Sequence, residues 1–168
     1  FYCGCNRIIT RDLGRSDSYL ARLYREVALI APAFDRDREV IQLHFGGGTP
    51  NFLNPTQLAD TVDVLRRQFH FADRRDSDIS IEIDPRFCDP AWMPALAASG
   101  FNRASLGVQD FDPKVQAAVN RLQTVEETRT VVDAARSAGF RSVNIDLIYG
   151  LPGQNLEGFG KTLDIVTE

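Results

Sequence analysis

Cysteine is scarce, with three in 168 residues: Cys3 and Cys5 in FYCGC, and Cys88 alone in DPRFCDP. That is too few for a disulfide framework. Basic runs are missing as well and the formal net charge is −4, so nothing along the chain gathers a row of phosphates, and general nucleic-acid binding is excluded. No uninterrupted apolar stretch approaches the ~20 residues that cross a bilayer. The opening FYCGCNRIITR has no charged segment followed by an apolar one, as a secretory signal requires. The expectation is a cytoplasmic protein without a membrane span. No linker, low-complexity tract or close sequence repeat interrupts the chain, which reads as one domain over residues 1–168.

What remains is ordinary globular material, 43% hydrophobic and 25% charged, arranged in an alternating pattern. Tyr19, Leu20, Leu23, Val27 and Ile30 fall at helical spacing over residues 17–31, with Ser16 or Asp17 available as N-cap. VIQLHF (40–45) reads as a strand. Residues 55–68 read as a helix opened by Asn54-Pro55, 78–84 as a strand, and 89–99 as a helix with Pro90 at its start and Gly100 past its end. RASLGV is a further strand, one or two helices fill 112–138 before Gly139, SVNIDLIYG is a strand, and the last dozen residues begin a helix. Strands alternating with helices predict an α/β fold with a parallel sheet.

The strands carry a second message. Parallel strands covered on both faces are near-continuous apolar runs, yet every strand here is polar at alternate positions. Gln42 and His44 alternate with Ile41, Leu43 and Phe45; Ser80, Glu82 and Asp84 with Ile79, Ile81 and Ile83. The same holds for Ser105, Gly107 and Gln109, and for Asn144 and Asp146. Carboxylates are rarely buried without partners, so the polar faces are expected to converge on a ligand-holding cavity. A wide or incomplete (β/α) barrel supplies such a wall better than a packed, closed one does.

Ligands in such folds sit at the carboxyl ends of strands. GGGTP, DPRF, QDF and DLIYGLPGQ all follow strands directly. GGGTP has neither the G-K-[ST] of a phosphate loop nor G-x-G-x-x-G spacing, and a plain tight turn explains it equally well. Cys3 and Cys5 are candidates for metal or redox chemistry, but two thiolates one residue apart complete no four-ligand site. Either the pair has no chemistry or its partners lie elsewhere.

Taken in order and spacing, FYCGCNRIITR, LHFGGGTPNFL, SIEIDPR, GFNRASLGVQDFDPKVQAAVNRLQ and NIDLIYGLPGQ resemble the radical S-adenosylmethionine core of the oxygen-independent coproporphyrinogen III oxidases. The resemblance covers essentially the whole chain. It implies a partial parallel (β/α) barrel of the radical S-adenosylmethionine type, truncated at both ends. In that family C-x-x-x-C-[FY]-[FY]-C-G-C binds a [4Fe-4S] cluster through its first three cysteines. Cys3 is then the third ligand, Cys5 a non-ligating neighbour, and the other two ligands are expected upstream of Phe1. The family uses two S-adenosylmethionine molecules; Gly47 and Glu82 match contacts to the first, and Tyr2, Gly48, Thr49, Gln109, Arg121 and Asp146 match contacts to the second. Glu82, Gln109 and Asp146 are also cavity-facing by periodicity alone.

The implied reaction is the anaerobic oxidative decarboxylation of two propionates of coproporphyrinogen III to vinyl groups through a 5′-deoxyadenosyl radical, giving protoporphyrinogen IX. An electron donor such as flavodoxin or ferredoxin is implied, and a monomer. The missing upstream and downstream segments lead to the expectation that residues 1–168 alone are inactive. The rival within the superfamily is a heme-chaperone-like relative, which carries C-D-F after its third cysteine and Q-S-F where this chain has Gln109-Asp110-Phe111. Both differences favour the oxidase. Bland alternatives stand beside the site: Glu82 bridging to Arg86 or Arg103, Arg121 as a solvated helix residue, His44 as a satisfied histidine without chemistry, and Cys88 as an inert thiol.

Overall fold

The computed structural model describes residues 4, 9, 10 and 12–168. Tyr2, Cys3 and Cys5 lie outside the described residues. The elements follow the predicted alternation: helix α1 (Arg15–Ile30), strands β1 (Glu39–Val40) and β2 (Gln42–Phe45), α2 (Pro55–Gln68), and strands β3 (His70–Phe71) and β4 (Asp78–Ile83). Then come α3 (Met93–Ala98), β5 (Arg103–Gln109), α4 (Pro113–Ala118), α5 (Val125–Ser137), β6 (Ser142–Leu147) and α6 (Leu156–Thr167). Strands β2, β4, β5 and β6 form one four-stranded sheet in that order, with β2–β4, β4–β5 and β5–β6 all parallel. Adjacent strands in chain order, each returned by a helix, make an arc of a (β/α) barrel.

Local sequence explains where the elements begin. Asn54 caps α2 through a reciprocal box with Gln57, and Thr124 caps α5 through the same device with Glu127. Pro55 occupies the first turn of α2, where its missing N–H costs nothing. Two expectations are corrected and a third is resolved. Helix α1 starts at Arg15 after an uncapped Gly14, so Ser16 lies inside the helix, its hydroxyl donating to the Leu13 carbonyl. The predicted strand 40–45 is broken at Ile41, which is 58% exposed, because β1 leaves the main sheet to pair with β3. The segment 112–138 is two helices, separated by Asn120 in the left-handed conformation (φ 55°).

The core sits on one face of the sheet. Ile79, Ile81 and Ile83 from β4 and Ala104 and Leu106 from β5 pack on Leu58 and Val62 of α2, Met93 and Leu96 of α3, and Val131 and Ala135 of α5. Phe101 and Phe140, at the approaches to β5 and β6, close this layer. Each Val, Leu, Ile, Met or Phe side chain among these contributes about 1.5–3 kcal/mol when fully buried. Among the described residues no helix packs on the opposite face, so the period-two alternation sorts one side of each strand into the core and the other into an open concavity.

Candidate functional site

The polar face is built in rows by the parallel register. His44 stands beside Ser80, and Ser80 beside Arg103. One step further along, Glu82 pairs with Ser105 and Ser105 with Asn144; at the rim, Gly107 pairs with Asp146. Glu82 and Asp146 therefore share the expected face, and Gln109, which an irregularity pairs with Leu147, brings its amide back to the same side beside Gly107.

Each glycine after β2 answers a separate requirement. A Cβ at Gly46 would come within 2.4 Å of His44 Nε2 and 2.9 Å of Glu82 Oε1, so a side chain there would push both groups from these positions. Gly47 (φ 78°) and Gly48 (φ 60°) both adopt the left-handed conformation that a side chain penalises. That turn aims the Gly47 N–H at Glu82 Oε2, 3.0 Å away. The loop is then locked to the end of β4 by Asn51, which is 3% exposed: its amide donates to the Asp84 carbonyl at 3.0 Å and accepts from the Asp84 N–H at 2.9 Å. Thr49 precedes this anchor, and its carbonyl receives the Phe52 N–H.

A second group gathers around Gly107. Strand β5 is irregular between Gly107 and Gln109, and Gln109 has φ 73°, an uncommon conformation for a residue with a side chain. A Cβ at Gly107 would lie 2.9 Å from Gln109 Nε2 and 3.1 Å from Arg121 Nη2, so the missing side chain makes room for both groups. On the neighbouring strand Asp146 accepts the Ser105 hydroxyl at 2.7 Å. The predicted residues thus fall into two clusters, Gly47 with Glu82, and Gln109, Arg121 and Asp146 about Gly107.

Arg121 is not a solvated helix residue. It follows α4, its side chain is 12% exposed, and it donates to Asp84 Oδ2 at 3.0 Å and to the Gly107 carbonyl. Asp84 also receives Arg86, at 3.0 Å from Nε and 2.7 Å from Nη2. The Arg121 Nε is buried without a hydrogen-bond partner among the described residues. Neither bridge suggested for Glu82 forms: Arg86 pairs with Asp84, and Arg103 with Asp78. Glu82 instead meets His44, which sequence reasoning had left without a role.

Other residues are structural. Asp110, 1% exposed, does not reach the polar face; it accepts from Thr162 Oγ1 at 2.7 Å, the Asp112 N–H at 2.8 Å and the Gln154 amide. It ties the end of β5 to α6 and to the loop after β6. Cys88 packs against the helix-side core, and burial, then the neighbouring Asp89, pushes its thiol up to about 12. It is an inert thiol at neutral pH. Among the described residues no group of three or more His, Cys, Asp or Glu side chains is arranged to hold a metal ion, and no helix is long and apolar enough to cross a membrane.

Comparison with known proteins agrees with this architecture. The Radical SAM superfamily model matches residues 1–166. The chain is 54% identical over 166 residues to the oxygen-independent coproporphyrinogen III oxidase of Pseudomonas aeruginosa, covering 99% of this chain and 36% of that protein. Identity to the Escherichia coli enzyme of the same name is 48%, over 100% of this chain and 36% of that one. The solved structure of the Escherichia coli coproporphyrinogen III oxidase, a radical SAM enzyme, superimposes with a TM-score of 0.91 at 48% identity, over 98% of this chain and 37% of that one. A radical S-adenosylmethionine methyltransferase of Kitasatospora setae shares the fold, with a TM-score of 0.63 at 19% identity over 88% of this chain and 28% of that one. The chain spans about a third of the length of these curated relatives. With a parallel sheet covered on one face, a glycine-rich turn seated on a strand-borne carboxylate, and a family match running from its first residue almost to its last, the chain belongs to the radical S-adenosylmethionine superfamily, whose cofactors are a [4Fe-4S] cluster and S-adenosylmethionine.

Proposed function

We propose that this chain is the cofactor-binding core of an oxygen-independent coproporphyrinogen III oxidase, which converts two propionate side chains of coproporphyrinogen III to vinyl groups. The observation that carries this is the 54% identity to a curated oxidase across nearly the whole chain. The geometry supplies what such a core requires. Glu82 presents a carboxylate to the open face beside a backbone too bare of side chains to obstruct a ligand. The ammonium of one amino acid ligand suits the Glu82 carboxylate, and the carboxylate of a second suits a cation such as Arg121, whose Nε has no partner among the described residues.

In this reading Gly47 and Glu82 hold one S-adenosylmethionine, and Tyr2, Gly48, Thr49, Gln109, Arg121 and Asp146 hold a second; Cys3 ligates the cluster. When bound, the reduced cluster and S-adenosylmethionine supply a carbon radical able to take a hydrogen atom from the propionate β-carbon. Each round would then lose CO₂ and pass one further electron to a separate electron acceptor, leaving a vinyl group. The chain's own part is to orient and enclose: Glu82 fixes the amino end, the glycine turn admits it, and the concave polar face shields the reacting carbon from water. Flavodoxin or ferredoxin is the class of electron donor, and the protein acts as a cytoplasmic monomer.

The test is made on the product of the complete reading frame under anaerobic, reducing conditions. Incubation with coproporphyrinogen III and S-adenosylmethionine should release two CO₂ per protoporphyrinogen IX formed. Tight heme binding with no CO₂ release would replace this reading by the heme-transfer one.

A further inference from the structure

His44 is a polar-face residue for which the reading above has no use. Its ring lies between two side chains of β4: Nδ1 is 2.8 Å from Ser80 Oγ and Nε2 is 3.2 Å from Glu82 Oε1. Gly46 borders the same contact, since a Cβ there would displace both His44 and Glu82. The first glycine of the triplet therefore preserves the histidine–glutamate pair, whereas the second donates to it. We propose that His44 is a positioning residue for Glu82, fixing that carboxylate for the ammonium group of an α-amino acid ligand. This rests on the assignment of Glu82 to the methionyl end of S-adenosylmethionine.

Glutamate has three side-chain torsions, and a half-exposed one on an open face samples several rotamers. Here both oxygens are held: Oε2 accepts the Gly47 N–H and Oε1 faces the imidazole. A carboxylate only accepts, so Nε2 is the nitrogen that carries the proton in this contact. In the neutral ring Nδ1 is then the acceptor, and the Ser80 hydroxyl, 2.8 Å away, is placed to donate to it. That hydroxyl also reaches the Leu43 carbonyl at 3.4 Å, the longer and weaker of its two contacts. Glu82 thus fixes the tautomer, Ser80 steadies the ring through Nδ1, the steadied ring orients Glu82, and each carboxylate oxygen keeps lone-pair capacity for a ligand. Ordering the side chain before binding removes part of the entropic cost of association. Outer partners of this kind commonly govern the affinity of the group they hold.

The test uses the complete, cluster-loaded protein and compares two probes by anaerobic calorimetry: S-adenosylmethionine, and 5′-methylthioadenosine, which has no amino acid portion. H44N keeps a polar group near Ser80 but is too short to reach Glu82, whereas H44Q places an amide nitrogen at about the reach of Nε2. H44N should weaken S-adenosylmethionine about tenfold, the low end for loss of an outer partner, and leave 5′-methylthioadenosine unchanged; H44Q should restore most of the loss. In the H44N background E82Q should cost less than in the wild type, as coupled neighbours require. Should H44N fail to fold, S80A, which frees the ring without removing it, is read with the same two probes and the same expected discrimination. Wild-type affinity in H44N, or equal weakening of both probes, overturns the inference while leaving Glu82 as a cofactor contact. Wild-type affinity in E82Q overturns the assignment of Glu82 itself.

Discussion

Asn51 and Asp84 exchange a pair of hydrogen bonds, amide to carbonyl at 3.0 Å and N–H to amide oxygen at 2.9 Å, across a sequence separation of 33 residues. This contact makes the glycine-rich loop part of the scaffold. Replacing Asn51 by Ala leaves the Asp84 N–H and carbonyl without these partners inside the protein, at a cost of about 2–3 kcal/mol. The expected outcome is a lowered urea midpoint together with faster hydrogen exchange at the Gly47 amide; an unchanged Gly47 exchange rate would show that the loop is held by other means.

Arg121 carries a structural load as well as its proposed cofactor contact. Asp84 is 9% exposed at its side chain, and R121A removes one of two guanidiniums from it. Removal of the sole partner of a buried ion costs roughly 3–5 kcal/mol; with Arg86 still bound, R121A should cost about 2 kcal/mol. R121K keeps a charge but not the planar fork that serves Asp84 and the Gly107 carbonyl together, and should recover only part. Activity loss in R121A must therefore be read beside its melting temperature.

Asp110 is expected to matter for stability ahead of binding. Its carboxylate accepts from Thr162, Asp112 and Gln154, all released at once by D110A, for a loss of about 3 kcal/mol. D110N should recover only part of this, because its amide sets a donor against donors. Equal destabilisation by both variants, measured by denaturant titration, would mean that charge rather than acceptor geometry governs the site.

Cys88 provides a pH test. Its thiol, ordinarily near 9.0, is held up to about 12 by burial and by Asp89. At pH 8 the thiolate fraction is then about one in ten thousand. In a C3S/C5S background, iodoacetamide should modify Cys88 slowly until denaturant is added. Because the unfolded thiol ionises first, this group's contribution to stability is intact below pH 9 and declines as pH rises toward 12. Rapid alkylation of the folded protein at pH 8 would contradict the burial that drives the shift.

The sorting of side chains between core and cavity was readable because it depends on parity within a strand. Ile81 and Glu82 take opposite faces whatever their neighbours are, so Glu82 and Asp146 could be placed in advance. Partnership was not readable, since it depends on register between strands dozens of residues apart. His44 meets Glu82 because β2 and β4 align Phe45 with Ile81, and nothing in LHFGGG states that alignment. Arg121 was obscured differently: VQAAVNRLQ has helical spacing, but Asn120 turns left-handed and delivers the guanidinium under the rim. Ile41 misled through its apolarity, for the chain leaves the main sheet there to build a separate ladder. Tyr2 and Cys3 lie outside the described residues, and their assignment stays with the family motif.

The alternation that makes Ile81 a core residue and Glu82 a cavity residue also constrains how such a chain can change over generations. Deleting a single residue inside β4 would turn every following side chain of that strand to the other face, sending Glu82 into the hydrocarbon layer and an isoleucine into the cavity. Strand lengths are therefore frozen by a coding-like reading frame, two residues to the period. Loops at the rim carry no such frame. Insertions and substitutions there leave every wall residue on its own face.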